Sequence, residues 1–289
     1  MYYFITMRFK IGCVLSYEVY VSSTFIFNIS AEKNEHQKIL KEKLTIEPHL
    51  PIKEFNAKNN LTRSHMVFVE QGNFDITYEA EVEIGNVIHN VEEATEIHTT
   101  KLPFDVIEYM YPSRYCESDK LIRITQKEFA KIPSGFSRVT AICNWIYENI
   151  EYLFGTTGNM TSAYDTVAER AGVCRDFAHL GIAFCRAIGI PARFCSSYAY
   201  GLNPPDFHAY FEAYLGNSWY IFDPTRLAPQ TSFVKIGTGH DAADLSFATI
   251  IGNANMKSIE ITMNSLNTDK KNNIVVPKFT TQPITSGHS

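Results

Sequence analysis

From Phe74 to Ile84 apolar and polar residues alternate for eleven positions, with Phe74, Ile76, Tyr78, Ala80, Val82 and Ile84 on one side and Asp75, Thr77, Glu79, Glu81 and Glu83 on the other. A period of two is that of a strand with one buried and one wet face. Gln71-Gly72-Asn73 ahead of it is a turn signal, and shorter β-branched and aromatic runs stand at Tyr17–Val21, Phe25–Ile29 and Met66–Val69. Several short strands joined by loops predict an antiparallel β-sandwich. A polar stretch from Glu92 to Lys101 then leads into Leu102-Pro103, which places a domain boundary there. The expected division is a β-sandwich over 1–102, a second domain over 103–276, and a Pro/Ser/Thr-rich tail over 277–289 that frays.

Beyond about residue 135 the period changes. Val139, Ile142, Cys143, Ile146 and Ile150 recur at i, i+3, i+4, i+7 and i+11, the apolar stripe of a helix. Ala163 to Arg170 predicts a short helix ended by Gly172. A further helix begins at Cys174, lines up Phe177, Gly181, Phe184, Cys185 and Ile188, and is stopped by Gly189 and Pro191. Strands follow over Arg193–Tyr200, His208–Leu215 and Ser218–Asp223. No internal repeat is visible.

Composition narrows the function more than the fold. The chain has 289 residues, 45% of them hydrophobic, enough for one large or two modest cores. A formal charge of −5 without any Lys/Arg cluster argues against a nucleic-acid partner. No apolar run is long enough to span a membrane as a helix. The apolar start has neither a basic leader nor a small-residue cleavage site, so a cytoplasmic location is expected, with Met7 a second candidate start after Met1. Six cysteines stand at 13, 116, 143, 174, 185 and 195, with no Cys-x-x-Cys pair. They are expected to be reduced, with Cys143, Cys185 and Cys195 acting as small core hydrophobes.

Cys174 differs from the others because it opens its helix. There a thiol meets the positive end of the helix dipole and free backbone N–H groups, both of which favour thiolate. Its own N–H can also serve as half of an oxyanion hole. Most helix cysteines, like most strand histidines, only pack. His208 and Asp223 gain weight from register: a two-residue turn at Gly216-Asn217 opposes Tyr210 to Asp223 and His208 to Thr225. His208 and Asp223 are then diagonal neighbours on one sheet face, within reach of an imidazole–carboxylate hydrogen bond. A thiol nucleophile, a proton carrier and a carboxylate that fixes its tautomer form a complete set for acyl transfer.

The run Arg170-Ala171-Gly172-Val173-Cys174-Arg175-Asp176-Phe177-Ala178-His179-Leu180, followed by Arg186-Ala187-Ile188-Gly189-Ile190-Pro191-Ala192-Arg193, closely resembles the core of bacterial transglutaminase-like proteins, often described as cysteine proteases. His208-Ala209-Tyr210-Phe211-Glu212, Phe222-Asp223-Pro224-Thr225 and Gly237–Asp244 resemble further segments of that core, and the β-rich start resembles the N-terminal domain that often precedes it. The resemblance implies an α+β fold, a papain-like transglutaminase core of helices packed on an antiparallel sheet, with Cys174 as nucleophile, His208 as base and acid, and Asp223 as orienter. Tyr210 stands where this family commonly has Trp, a change that could alter the acyl-side pocket. The second oxyanion donor is not identifiable, Tyr164 and Asn159 being guesses. Arg175 and Asp176 are read as structural. His179, about 140° around the helix from Cys174, is read as a core or surface residue rather than a catalyst.

The expected function is thus a cysteine-nucleophile enzyme acting on amide or peptide bonds of a peptide or protein substrate, most simply a protease or amidase. A cross-linking transglutaminase is the alternative, disfavoured because no calcium-loop signature is present. A non-catalytic binding scaffold is disfavoured by the intact Cys, His and Asp. A metal site built from Cys174, His179, His208 and Asp223 is least favoured, because no closely paired ligands occur. Neither a cofactor nor a metal is expected.

Overall fold

The computed structural model describes residues 3–56, 62–266 and 280–286. In chain order come β1 (Tyr3–Phe27), β2 (Gln37–Glu47), β3 (Ile52–Asn56), β4 (Arg63–Val69), β5 (Gly72–Ile88), α1 (Phe104–Ile107), α2 (Ser118–Phe129), α3 (Phe136–Asn149), β6 (Glu151–Tyr152), α4 (Ala163–Glu169), β7 (Ala171–Gly172), α5 (Cys174–Ala187), β8 (Ala192–Ala199), β9 (Phe207–Leu215), β10 (Ser218–Phe222), β11 (Phe233–Gly239), β12 (Ala248–Ser265) and β13 (Ile284–Thr285). The chain is an α+β protein: a curled seven-stranded antiparallel sheet and a four-stranded antiparallel sheet ordered β10-β9-β8-β11, with helices packed on the latter.

In the larger sheet, the two short runs expected at Tyr17–Val21 and Phe25–Ile29 belong to one strand, β1, except for Asn28 and Ile29, which lie just past its end. Its register against β12 slips after Ser16, Val19 and Val21, and such bulges bend and twist a strand. The turn signal at residues 71–73 does not make a hairpin. β4 pairs with residues 23–27 of β1 and β5 with residues 3–19, so the two strands lie end to end along the same side of β1. Two assignments need correction. After the four-stranded sheet the chain crosses back, and β12 pairs with β1 over residues 9–27, so residues 248–265 belong to the N-terminal sheet. The tail expected to fray over 277–289 is anchored where it is described: β13 pairs with β5, Ile284 is fully buried, and Thr285 meets His89 at 2.8 Å.

The smaller sheet carries the chemistry-bearing strands. Phe194, Ala209, Phe211, Ala213, Tyr220 and Phe222 turn into a core shared with α2, α3 and α5. Near β11, Tyr198, Phe207, Val234 and Ile236 instead join the core of the N-terminal sheet. The Gln37 side chain ties the two sheets by donating to the Lys235 carbonyl at 2.7 Å and accepting from its N–H at 2.7 Å.

Helix α5 is buried along nearly its whole length and lies on β9. At their closest approach Gly181 faces the Phe211 ring so tightly that a Cβ at position 181 would overlap it. Cys174 lies seven residues up the helix from Gly181, and His208 three residues up the strand from Phe211. At 1.5 Å and 3.3 Å per residue both stand about 10 Å from this contact, so it sets them level with each other. On the opposite side of β9, fully buried Glu212 bonds to Lys235 and, at 2.7 Å, to Arg193, which stacks on Trp219. Burial alone would raise the Glu212 carboxyl, but the two cations hold it down at about 2.

Gly181→Ala should cost about 1–3 kcal/mol by overpacking, read from the urea midpoint, and part of that loss should return when Phe211→Leu is added. Glu212→Gln leaves two buried cations uncompensated and should cost about 3–5 kcal/mol. The wild-type contribution of Glu212, present above its ordinary value of 4.5, should fade as the pH falls toward 2.

Candidate active site

Cys174 is the first residue of α5, after Val173 as N-cap. It is the one cysteine of the six that is not buried, and all six are free thiols. Burial pushes the other five up, Cys13 to about 11. The first turn is clamped from outside. Asp176 accepts from the Val173 N–H at 2.9 Å and from the Thr157 hydroxyl at 2.7 Å, while Arg175 donates to the Gly158 carbonyl at 2.8 Å. Arg175 and Asp176 thus play the structural part expected of them. Near the other end of the helix, Arg186 donates to the carbonyls of Tyr111, Ala192 and His240.

The β9–β10 hairpin has the expected register: Leu215 opposes Ser218 and Phe211 opposes Phe222, across a turn with φ of 52° at Gly216 and 67° at Asn217. Positive φ at both central residues is the two-residue turn whose twist matches the strands. His208 and Asp223 come together as the diagonal predicts, Nε2 to Oδ2 at 2.9 Å, with both side chains fully shielded from water. The other carboxylate oxygen accepts from the N–H and hydroxyl of Thr225 at 2.9 and 2.8 Å. An ionised carboxylate only accepts, so Nε2 carries the proton and, in the neutral ring, Nδ1 keeps its lone pair.

Nδ1 is buried and makes no hydrogen bond of regular geometry among the described residues. The Cys174 side chain comes near enough to the His208 ring to add to its proton affinity. Burial alone would lower the proton affinity of His208. The Asp223 charge and hydrogen bond overcome that, Cys174 adds to it, and the ring is raised above its ordinary value.

Other expected residues lie elsewhere. His179 is buried, stacks on Tyr115, and accepts the Ala242 N–H at 3.1 Å through Nε2, so it belongs to the core. It does not join Cys174 in a ligand set. Tyr164 turns its ring toward Lys120 at the surface, and the Asn159 carbonyl accepts from Tyr115. Tyr210 is buried and stacked on Phe233 at 4.7 Å. The Gly237–Asp244 segment buttresses the helices, Asp241 accepting from the Tyr115 N–H at 2.8 Å. Sequence reasoning passed over Thr225 as a holder of Asp223, although an Asp-Pro-Thr run is a turn that favours this bond. It also passed over Thr157, which stands in a segment too irregular to carry a periodic signal.

The chain belongs to the transglutaminase-like superfamily. Residues 123–224 match the model of that superfamily, and residues 7–105 match that of the bacterial transglutaminase N-terminal domain. The crystal structure of a candidate cysteine protease from Cytophaga hutchinsonii is 44% identical, covers 98% of this chain and 99% of its own, and superposes with a TM-score of 0.93. An uncharacterized protein of Mycobacterium leprae is 30% identical over 148 residues, and one of Mycobacterium tuberculosis is 32% identical over 116. The matches span only 53% and 37% of those two relatives. Among the described residues, no helix is long and apolar enough to cross a membrane.

A ring whose proton affinity rises on folding stabilises the native state fully below its ordinary value of 6.5, and that contribution is lost as the pH climbs through the raised value. The stability gap between wild type and Asp223→Asn should therefore be widest below pH 6.5 and narrow at alkaline pH, as urea midpoints across the pH range will show.

Proposed function

We propose that this protein is a cysteine-nucleophile acyl-transfer enzyme that hydrolyses amide or peptide bonds, with Cys174 as nucleophile, His208 as proton carrier and Asp223 as orienter. The observation that carries the reading is the buried His208–Asp223 pair, which leaves Nδ1 for a thiol that, alone among six, is reachable from solvent. Its likeness over nearly the full length to a candidate cysteine protease supports the same reading.

In the proposed reaction the thiolate attacks the carbonyl carbon of the substrate. The imidazolium then gives its proton to the departing amine, leaving a thioester on Cys174, and His208 takes a proton from the water that releases the acid. Asp223 keeps the ring oriented and stabilises its charged form. Phe154 and Met160 are exposed on the loop clamped to the first turn of α5, which suits a peptide with apolar side chains near the cleaved bond. Free thiols throughout fit a reducing compartment such as the cytoplasm. Water is favoured over a lysine amine as acceptor because an amine would need a binding site of its own.

Intact-mass spectrometry with candidate peptides, with and without an added amine, tests this. An acyl adduct on residue 174 that decays to free acid is expected, whereas an amide product would shift the reading to cross-linking. His208→Ala should slow acylation by about 10²–10⁴-fold, and Cys174→Ala should abolish the adduct. Acylation that persists in Cys174→Ala would remove the nucleophile from the proposal.

A further inference from the structure

The larger sheet has two long edges, and they are built differently. One is formed by β2 and β3, which lie beyond β5 and β4. β2 carries Lys38, Lys41 and Lys43 along a register broken between Ile39 and Lys41, and β3 is only five residues long, with Lys53 and Glu54 among them. Charge, a bulge and short length are the devices that keep a sheet edge from pairing with another chain. The opposite edge is β12, which among the described residues pairs with β1 alone. It is eighteen residues long and has two charges, Lys257 and Glu260, of opposite sign. Lys257 falls at a slip in register and has no partner in β1.

From Ser258 to Asn264 the pairing with β1 is unbroken, and the stretch holds neither lysine nor proline. Ile259, Ile261 and Met263 stand opposite Leu15, Cys13 and Ile11 and reach the core of the sheet. Ser258, Glu260, Thr262 and Asn264 alternate with them and are exposed on the outer face. Ile259 and Met263 are only half-buried, so the core ends in a lip of partly covered apolar side chains along the outer flank of β12. Apolar inward, polar outward and uncharged but for Glu260, this is the pattern of a strand with a neighbour on each side.

We propose that the missing neighbour is β12 of a second copy of this chain, paired antiparallel about a two-fold axis normal to the sheet. Such an axis keeps inward side chains inward, so opposed residues share parity. Centring the pair on Glu260 would set two carboxylates face to face. Centring it on Ile261 pairs the whole regular stretch: Ile261 meets its own copy, Ile259 meets Met263, Glu260 meets Thr262 and Ser258 meets Asn264. Each apolar lip then closes on the other, and no like charges are opposed. Because the same edge is used on both chains, the assembly stops at a dimer.

Ser258 and Asn264 are exposed on the outer face, so changing them leaves the core intact. Sedimentation equilibrium of the full-length protein should show a dimer in the wild type. The double variant Ser258→Lys with Asn264→Lys opposes lysine to lysine at two places and should raise the dissociation constant about tenfold or more. Ser258→Glu with Asn264→Lys opposes unlike charges in the same register and should restore the dimer. Circular dichroism shows whether each variant is folded. A measurement on the wild type alone covers the case in which one is not: amide exchange over residues 258–264 should slow as protein concentration rises, while exchange along β2 stays the same. A monomeric wild type overturns the proposal. So does a dimer whose exchange over 258–264 ignores concentration, or one that the lysine pair and the glutamate–lysine pair affect alike.

Discussion

Helix α5 and strand β9 each carry one of the two groups that the proposed reaction pairs, and what fixes helix and strand relative to each other is the contact of Gly181 with the Phe211 ring. A side chain at 181 would force helix and sheet apart, and every ångström of separation would be felt at Cys174 and His208. The rest of the smaller domain acts to hold that contact. Arg186 ties the far end of the helix to three carbonyls from separate segments, Asp176 and Arg175 pin its first turn to the 157–158 loop, and Glu212 anchors β9 to β8 and β11. Packing sets the distance between helix and strand, and hydrogen bonds set the orientation of each.

Burial is divided unequally within the site. The imidazole–carboxylate pair is dry, so its attraction is not weakened by water and its geometry is not contested by solvent. The thiol is partly open. In the proposed reaction a nucleophile needs access and its orienting pair needs exclusion, and this division falls at the boundary between the helix end and the sheet. Thr225 completes it by donating twice to the second carboxylate oxygen, which holds Asp223 turned toward His208.

Much of this was legible in the sequence where local rules and tertiary demands agree. The Phe74–Ile84 alternation is a strand because one of its faces is buried, and the Gly216-Asn217 turn fixes a register that brings His208 to Asp223. What stayed hidden lies where the two conflict. β2 is rich in Lys and Glu because it is mostly exposed, so it carries little apolar signal. α2 buries only Ser118, Leu121, Thr125 and Phe129, and exposed Ile122 blurs its period. Tyr152 sits in a two-residue strand whose meaning comes only from Gly172 across from it. The path of β12 back to β1 has no local signature, because strand partners more than two hundred residues apart are chosen by the finished sheet.

That return path also bears on how the protein comes into being. During synthesis β1 is made more than two hundred residues before the segment 248–265 that supplies one flank of its ladder. Until those residues leave the ribosome, the nascent chain carries a long strand with an open edge, the kind of surface that recruits unwanted partners. Closure across so large a loop is entropically slow. The helical half, whose contacts are nearer in sequence, can settle before β12 closes on β1.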